Sequence, residues 1–213
     1  KCICLEFLNN SEALCLFGTT DMSSFDDALE FRFKADTTWA DAHEDDKAAV
    51  TRLWNWIDSC KDDPAKFLAE YNQYFGNDSP FAWYLITDYF MAVDNRAKNM
   101  MLATWDSLIW YFLPYDMDTL FGVRNDSVLK YEYTITHESF DDSIGSYAFA
   151  GHDSVLWELV RSCPDKLREV AETLRSNMSL EYVLQVFNEE QMGNWCEPVS
   201  YTHLRAHETP EHL

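Results

Sequence analysis

Residues 81–93 (FAWYLITDYFMAV) are apolar on nearly every side, and the next six, Asp94-Asn95-Arg96-Ala97-Lys98-Asn99, are almost all polar. A helix that is apolar all round belongs in the middle of a core. Asp78-Ser79-Pro80 supplies its start signal. A polar run at the exit of such a helix must be satisfied by neighbours or serve a site, because buried polar groups without partners are costly. Beyond it the period switches from helix to strand. Residues 99–105 and 108–113 read as two strands joined at Asp106-Ser107, a hairpin. A buried helix, a polar link and a hairpin in series constrain the fold more tightly than any other stretch.

The remaining elements fall around that series. Residues 3–8 read as a strand ending at Asn9-Asn10, residues 13–17 as a strand ending at Gly18, and residues 29–34 alternate apolar and polar. Residues 45–59 place Val50, Leu53, Trp54 and Ile57 on one helical face. Pro64 opens a second helix with Phe67, Leu68, Tyr71 and Phe75 as its stripe and Gly76 as its stop. After the hairpin, a polar loop over 125–151 leads to helices over 153–161, 164–176 and 180–192, whose starts are marked by Asp153, Pro164 and Ser179. Strands, then helices, then one hairpin, then helices is an α+β order rather than a doubly wound sheet.

The expected organisation is one domain over residues 1–199. Lys1 opens inside a strand, so an N-terminal part of that domain is expected to be missing, together with any leader. Residues 200–213 (SYTHLRAHETPEHL) carry three of the six His and no helical or strand period. They resemble translated sequencing-adapter read-through and are set aside as a non-native tail.

Charge narrows the partners. Lys and Arg total 16 against 37 Asp and Glu, a net charge of -21. That balance argues against nucleic acid, whose phosphates need a basic patch, and against adsorption to an anionic membrane. No run approaches the ~18 apolar residues of a membrane span. The six Cys include no CxxC pair, so buried free thiols are expected rather than a zinc site. His43, His137 and His152 lack metal-ligand spacing and read as surface residues. No G-x-S-x-G elbow occurs, and the Trp residues read as core rather than as a carbohydrate platform.

The polar link carries the chemistry. Asp94 and Asn99 stand in D-x4-N spacing with Arg96 two after the Asp, the spacing of a kinase catalytic loop. Asp116 and Asp118 follow just after the hairpin, where a kinase supplies its second metal-binding acid. Mg²⁺ takes oxygen ligands, usually one or two carboxylates plus phosphate oxygens and water. Phosphoryl transfer needs alignment and charge neutralisation more than covalent help. On spacing alone other readings stay open. Asp94 and Arg96 can cap a helix, and Asp116 and Asp118 can be turn acids or a sparse Ca²⁺ loop.

The stretch Trp83-Tyr84-Leu85, then Ala92-Val93-Asp94-Asn95-Arg96-Ala97-Lys98-Asn99, Trp110-Tyr111 and Pro114-Tyr115-Asp116-Met117-Asp118-Thr119-Leu120-Phe121-Gly122 resembles the CotH-type spore-coat protein kinase family. The match is good over roughly 80–122 and looser on both sides. It implies an atypical protein kinase-like fold, mainly the helical C-terminal lobe with its catalytic hairpin. It also implies ATP with Mg²⁺ as cofactors and Ser or Thr of proteins as acceptors. Carried over residue by residue, Asp94 is the catalytic-loop carboxylate, Arg96 the phosphate-facing cation, and Asn99 and Asp116 the nucleotide-metal ligands, with Asp118 as a further metal candidate. No G-x-G-x-x-G is present, and Lys34 has no evident partner. Those departures keep an alternative in view: a non-catalytic surface or phage-associated structural protein on a kinase-like scaffold. A divalent-ion-stabilised domain without nucleotide chemistry is a third reading.

Overall fold

A computed structural model of the chain describes residues 2–8, 22–32, 37–90, 92, 95, 99–117, 120 and 155–189. The expected strand over 13–17, the loop over 125–151 and the tail over 200–213 lie outside them. The chain divides into two compact units, Lys1–Val170 and Ala171–Leu213.

The first unit is built on one four-stranded antiparallel sheet in the order β2-β1-β3-β4. Its strands are β1 (Ile3–Phe7), β2 (Leu29–Phe31), β3 (Met100–Thr104) and β4 (Trp110–Pro114). Leu5 pairs with Phe31 on one side and Leu102 on the other, and Leu102 pairs with Phe112. The N-terminal strand therefore lies beside the hairpin, 97 residues away in sequence for the Cys4–Met101 contact. The helices of this unit are α1 (Phe25–Ala28), α2 (Glu44–Cys60), α3 (Pro64–Glu70), α4 (Ser79–Tyr89) and α5 (Val155–Arg161), followed by α6 (Pro164–Asn177), within which the unit boundary falls. The second unit contains α7 (Leu180–Glu189). Mixed helix and antiparallel sheet agrees with the α+β expectation. Among the described residues no helix is long and apolar enough to cross a membrane.

Sequence signals explain most element ends. His43 caps α2 by accepting the Asp45 N–H on Nδ1 at 3.2 Å, which gives that histidine a structural job. Asp63 caps α3 from its carboxylate, and Pro64 opens it. Two ends differ from expectation. The helix opened by Pro64 stops at Glu70 and tightens into a 3-10 turn, because the next residues leave to pair with β4. Trp110 N–H donates to Tyr74 O at 2.7 Å, and Gly76 N–H donates to Trp110 O at 3.0 Å. This short parallel bridge covers the outer edge of β4. Gly76 lies against the Tyr111 ring, so a Cβ there would force that ring to shift. Leu68, expected in the buried stripe, is 41% exposed. The apolar helix also ends early, at Tyr89 rather than 93. Ala92 N–H reaches back to Thr87 O at 2.9 Å, a wide closing turn that tucks Ala92 into the core.

The core is aromatic. Trp54, Trp110 and Trp157 are fully buried, as expected of core Trp residues, while Trp105 at the hairpin turn is 58% exposed. Phe112 of β4 is the hub: it stacks on Phe75 at 5.8 Å and Trp83 at 5.9 Å, and meets Trp157 at 5.3 Å. That column fixes α4 and α5 against the hairpin. Cys4, Cys60 and Cys163 are buried free thiols, as anticipated. Burial pushes each of these thiols up, away from the reactive thiolate. Cys2 is free but exposed, because β1 begins only at Ile3.

Candidate functional site

Met100 and Pro114 form the last pair of the hairpin ladder, at its open end. Asn99 stands one residue before that pair and Asp116 two residues after it. The two expected nucleotide-metal ligands are thus at the same end of one hairpin, as the spacing anticipated. Asn99 is half-buried and Asp116 exposed. Both have left-handed backbones, with φ of 51° and 47°. That region is disfavoured for L residues by about 1–2 kcal/mol, and Asn and Asp tolerate it best. Asp94, Arg96 and Asp118 lie outside the described residues.

Neighbouring elements tie this end together. Asn95, fully buried, donates from Nδ2 to Asn99 O at 2.6 Å and to Tyr115 O at 3.0 Å. Its own carbonyl accepts the Trp83 indole N–H at 2.8 Å, which links the site to α4 and the aromatic column. On the other side, Arg32 follows β2 and donates to the Tyr115 hydroxyl at 3.3 Å, with its guanidinium 5.6 Å from the ring centre. The same guanidinium pairs with Glu6 at 2.7 Å and Glu30 at 3.7 Å. Burial pushes the Glu6 carboxyl up. Arg32 pulls it back, and Glu30 and Asp116 push it up further. One cation is shared by an acidic neighbourhood that includes Asp116.

Asn99 offers an amide oxygen and Asp116 a carboxylate, and hard oxygens of this kind are what Mg²⁺ takes. The donor set fits that ion. Among the described residues no three His, Cys, Asp or Glu side chains come together to hold a metal. Arg32, Glu6 and Tyr115 escaped the sequence reading. Arg32 and Glu6 lie in or beside the paired strands β1 and β2, but only the strand pairing brings Arg32 to both Glu6 and Tyr115. Asn95 stood in the polar run without a role, and its burial is the feature that gives it one.

The family model described as CotH kinase protein matches residues 7–192. That span includes the hairpin, the polar link and every site residue expected from the sequence. No curated protein and no solved structure matches the chain. With the family model covering most of its length, the chain belongs to the CotH kinase family.

Proposed function

We propose that this chain is an atypical, Mg²⁺-dependent protein kinase that transfers the γ-phosphoryl group of ATP to Ser or Thr hydroxyls of proteins. The observation that supports the reading is that Asn99 and Asp116 stand at the same end of one hairpin, whose arms are tied by a buried side chain. Membership of a kinase family supports nucleotide use in general and a protein as acceptor.

In this reading residues 1–199 act as a kinase-like domain, with the hairpin and the helices around it as the C-terminal lobe. The acceptor hydroxyl oxygen forms a bond to the γ-phosphorus as the bond to the β,γ-bridging oxygen breaks and ADP leaves. Asp94 orients that hydroxyl and takes its proton. Arg96 faces the phosphates and offsets their charge. Asn99 and Asp116 hold the nucleotide's Mg²⁺, and Asp118 is the alternative acid. Held by those residues, Mg²⁺ would supply neutralisation of the phosphate charge. Asp116 is preferred over Asp118 because it stands nearer the end of β4, with only Tyr115 between.

The test is transfer of labelled γ-phosphate by the full chain to a generic protein acceptor at millimolar Mg²⁺. Transfer is expected to require the metal, and Asp94→Asn is expected to lower it by ~10²–10⁴-fold, the range for a positioned acid or base. Asp116→Ala is expected to abolish it. A chain that neither binds nor hydrolyses ATP under these conditions, and is unaltered by Asp116→Ala, is a binding scaffold and not a kinase.

A further inference from the structure

The two candidate ligands sit on separate arms of the hairpin, beyond the last ladder pair, and their spacing is fixed by whatever joins the arms there. The group in that place is Asn95. One amide hydrogen goes to the carbonyl of Asn99 and the other to the carbonyl of Tyr115. Both partners accept only, so the amide nitrogen must face them and the orientation of the side chain follows. A primary amide is the uncharged side-chain group with two hydrogens on one nitrogen. A hydroxyl would reach one arm, and a Lys or Arg would put a charge in a fully buried position.

Both carbonyls govern the candidate ligands. The Asn99 carbonyl belongs to the ligand residue itself. The Tyr115 carbonyl belongs to the peptide plane whose nitrogen is that of Asp116, so holding it fixes the plane from which the left-handed φ of Asp116 turns. Asn95 is itself held from behind. Trp83 Nε1–H donates to its carbonyl, Asn95 N–H donates to Ala92 O at 3.2 Å, and the Trp83 ring lies against Phe112 of β4. The clamp is thereby anchored in the core and not in a loop.

We infer that Asn95 is a positioning residue that sets the spacing of the Asn99 amide and the Asp116 carboxylate for a nucleotide-bound divalent cation. This rests on the reading of the site given under the proposed function. The spacing of Asp94 and Asn99 does not call for it, since Asn95 occupies one of the unspecified positions between them.

The test is calorimetric titration of Mg²⁺ into the full chain with a non-hydrolysable ATP analogue, together with the Mg²⁺ dependence of ATP turnover. Wild type and Asn95→Ala are compared, with thermal melting as the control for folding. Mg²⁺ affinity is expected to fall ~10–100-fold, the usual effect of losing a group that orients metal ligands. Turnover lost at low Mg²⁺ is expected to return as Mg²⁺ is raised. A variant that melts earlier yet keeps the wild-type Mg²⁺ midpoint has lost only structure, and overturns the inference. If Asn95→Ala does not fold, Trp83→Phe decides. It removes the N–H holding Asn95 but keeps a ring against Phe112, and it must weaken Mg²⁺ binding in the same direction by a smaller factor. An unchanged midpoint there overturns the inference too. A wild type that binds no Mg²⁺ with nucleotide takes down the site reading and this inference with it. Binding in the wild type, unaltered in Asn95→Ala, takes down the inference alone.

Discussion

Replacing Asn99 by Gly, and separately by Ala, divides what its backbone costs from what its side chain does. At φ 51° an L residue is disfavoured by about 1–2 kcal/mol, and Gly bears no such penalty. Against that gain, Gly loses about 0.4–1 kcal/mol more chain entropy on folding than Ala. Subtracting the second range from the first leaves Asn99→Gly more stable than Asn99→Ala by about 1 kcal/mol. That reverses the ordinary order of the two residues. For a chain of this size the difference amounts to roughly 2–4 °C in Tm. Relative to wild type, Asn99→Gly is expected to be nearly neutral, since Asn already tolerates the left-handed region.

The functional readout should move differently. Both variants lack the amide oxygen, so both are expected to weaken Mg²⁺ binding in the presence of nucleotide, and by the same factor. Asn77 is the control: it has φ 53°, is exposed and lies beside Gly76 near the other end of β4. Asn77→Gly should reproduce the stability result with Mg²⁺ affinity unchanged. The assay is thermal melting paired with calorimetric titration of each variant. If Asn99→Ala melts above Asn99→Gly, the left-handed conformation is not the one adopted in solution. If Asn99→Gly binds Mg²⁺ as wild type does, the amide oxygen is not a ligand.

Two further outcomes follow from ionisable groups away from the site. Asp106 accepts the N–H groups of Ile109 and Leu108 at 2.8 Å each and the Thr104 hydroxyl at 3.1 Å, and the backbone bonds hold its carboxyl below the ordinary 3.8. A carboxyl made more acidic by folding stabilises above its unfolded value and loses that contribution as pH falls through the folded one. Asp106 is exposed, so solvent screening keeps the effect small. Asp106→Ala should lower stability slightly near neutrality, and urea unfolding should show the gap to wild type closing as pH falls below the ordinary carboxylate range. Lys166 is largely buried; burial alone would lower its pKa, but bonds to Glu169, Asp78 and Tyr71 hold it well above the ordinary 10.5. Burial and Asp78 likewise push the Tyr71 hydroxyl up. Both folded values exceed the unfolded ones, so this stabilisation is full below about pH 10 and is lost as pH rises through the folded values. Lys166→Met should destabilise by about 1–3 kcal/mol at neutral pH, with the difference shrinking in strong alkali as read by denaturant unfolding.

The parts of the fold legible in the sequence are those set by local chemistry. Periodicity located α2, α4, both hairpin strands and the three C-terminal helices, and Pro64 marked the start of α3. What went unread depends on partners far along the chain. The helix after Pro64 looked long because Phe67, Tyr71 and Phe75 keep a helical interval. Yet Phe75 is buried from an extended bridge to Trp110, which no local pattern announces. The early end of α4 is instead local, set by a closing turn five residues wide. Residues 90–93 are apolar enough to continue a helix, but Ala92 gains its burial by folding back onto Thr87.

At the site the same division applies, and backbone strain sharpens it. Spacing along the chain named Asn99 and Asp116 because their separation by one hairpin is a one-dimensional fact. Arg32 and Tyr115 are 83 residues apart and Asn95 and Tyr115 are 20 apart, so their contacts exist only once the register of the sheet is set. Among the described residues, the non-glycine positions with left-handed φ are Asn77, Asp78, Asn99, Ser107 and Asp116. Asn77 and Asp78 make the sharp entry into α4, and Ser107 makes the hairpin turn. Asn99 stands just before β3 and Asp116 two residues after β4, both outside the hairpin turn. Strained backbone persists when the surroundings over-determine it, and such residues cluster where function needs a fixed pose. Here the surroundings are the buried Asn95 amide, bonded to the carbonyls of Asn99 and Tyr115, and Arg32 against Tyr115, and the strained residues are the two that the sequence resemblance offers as metal ligands.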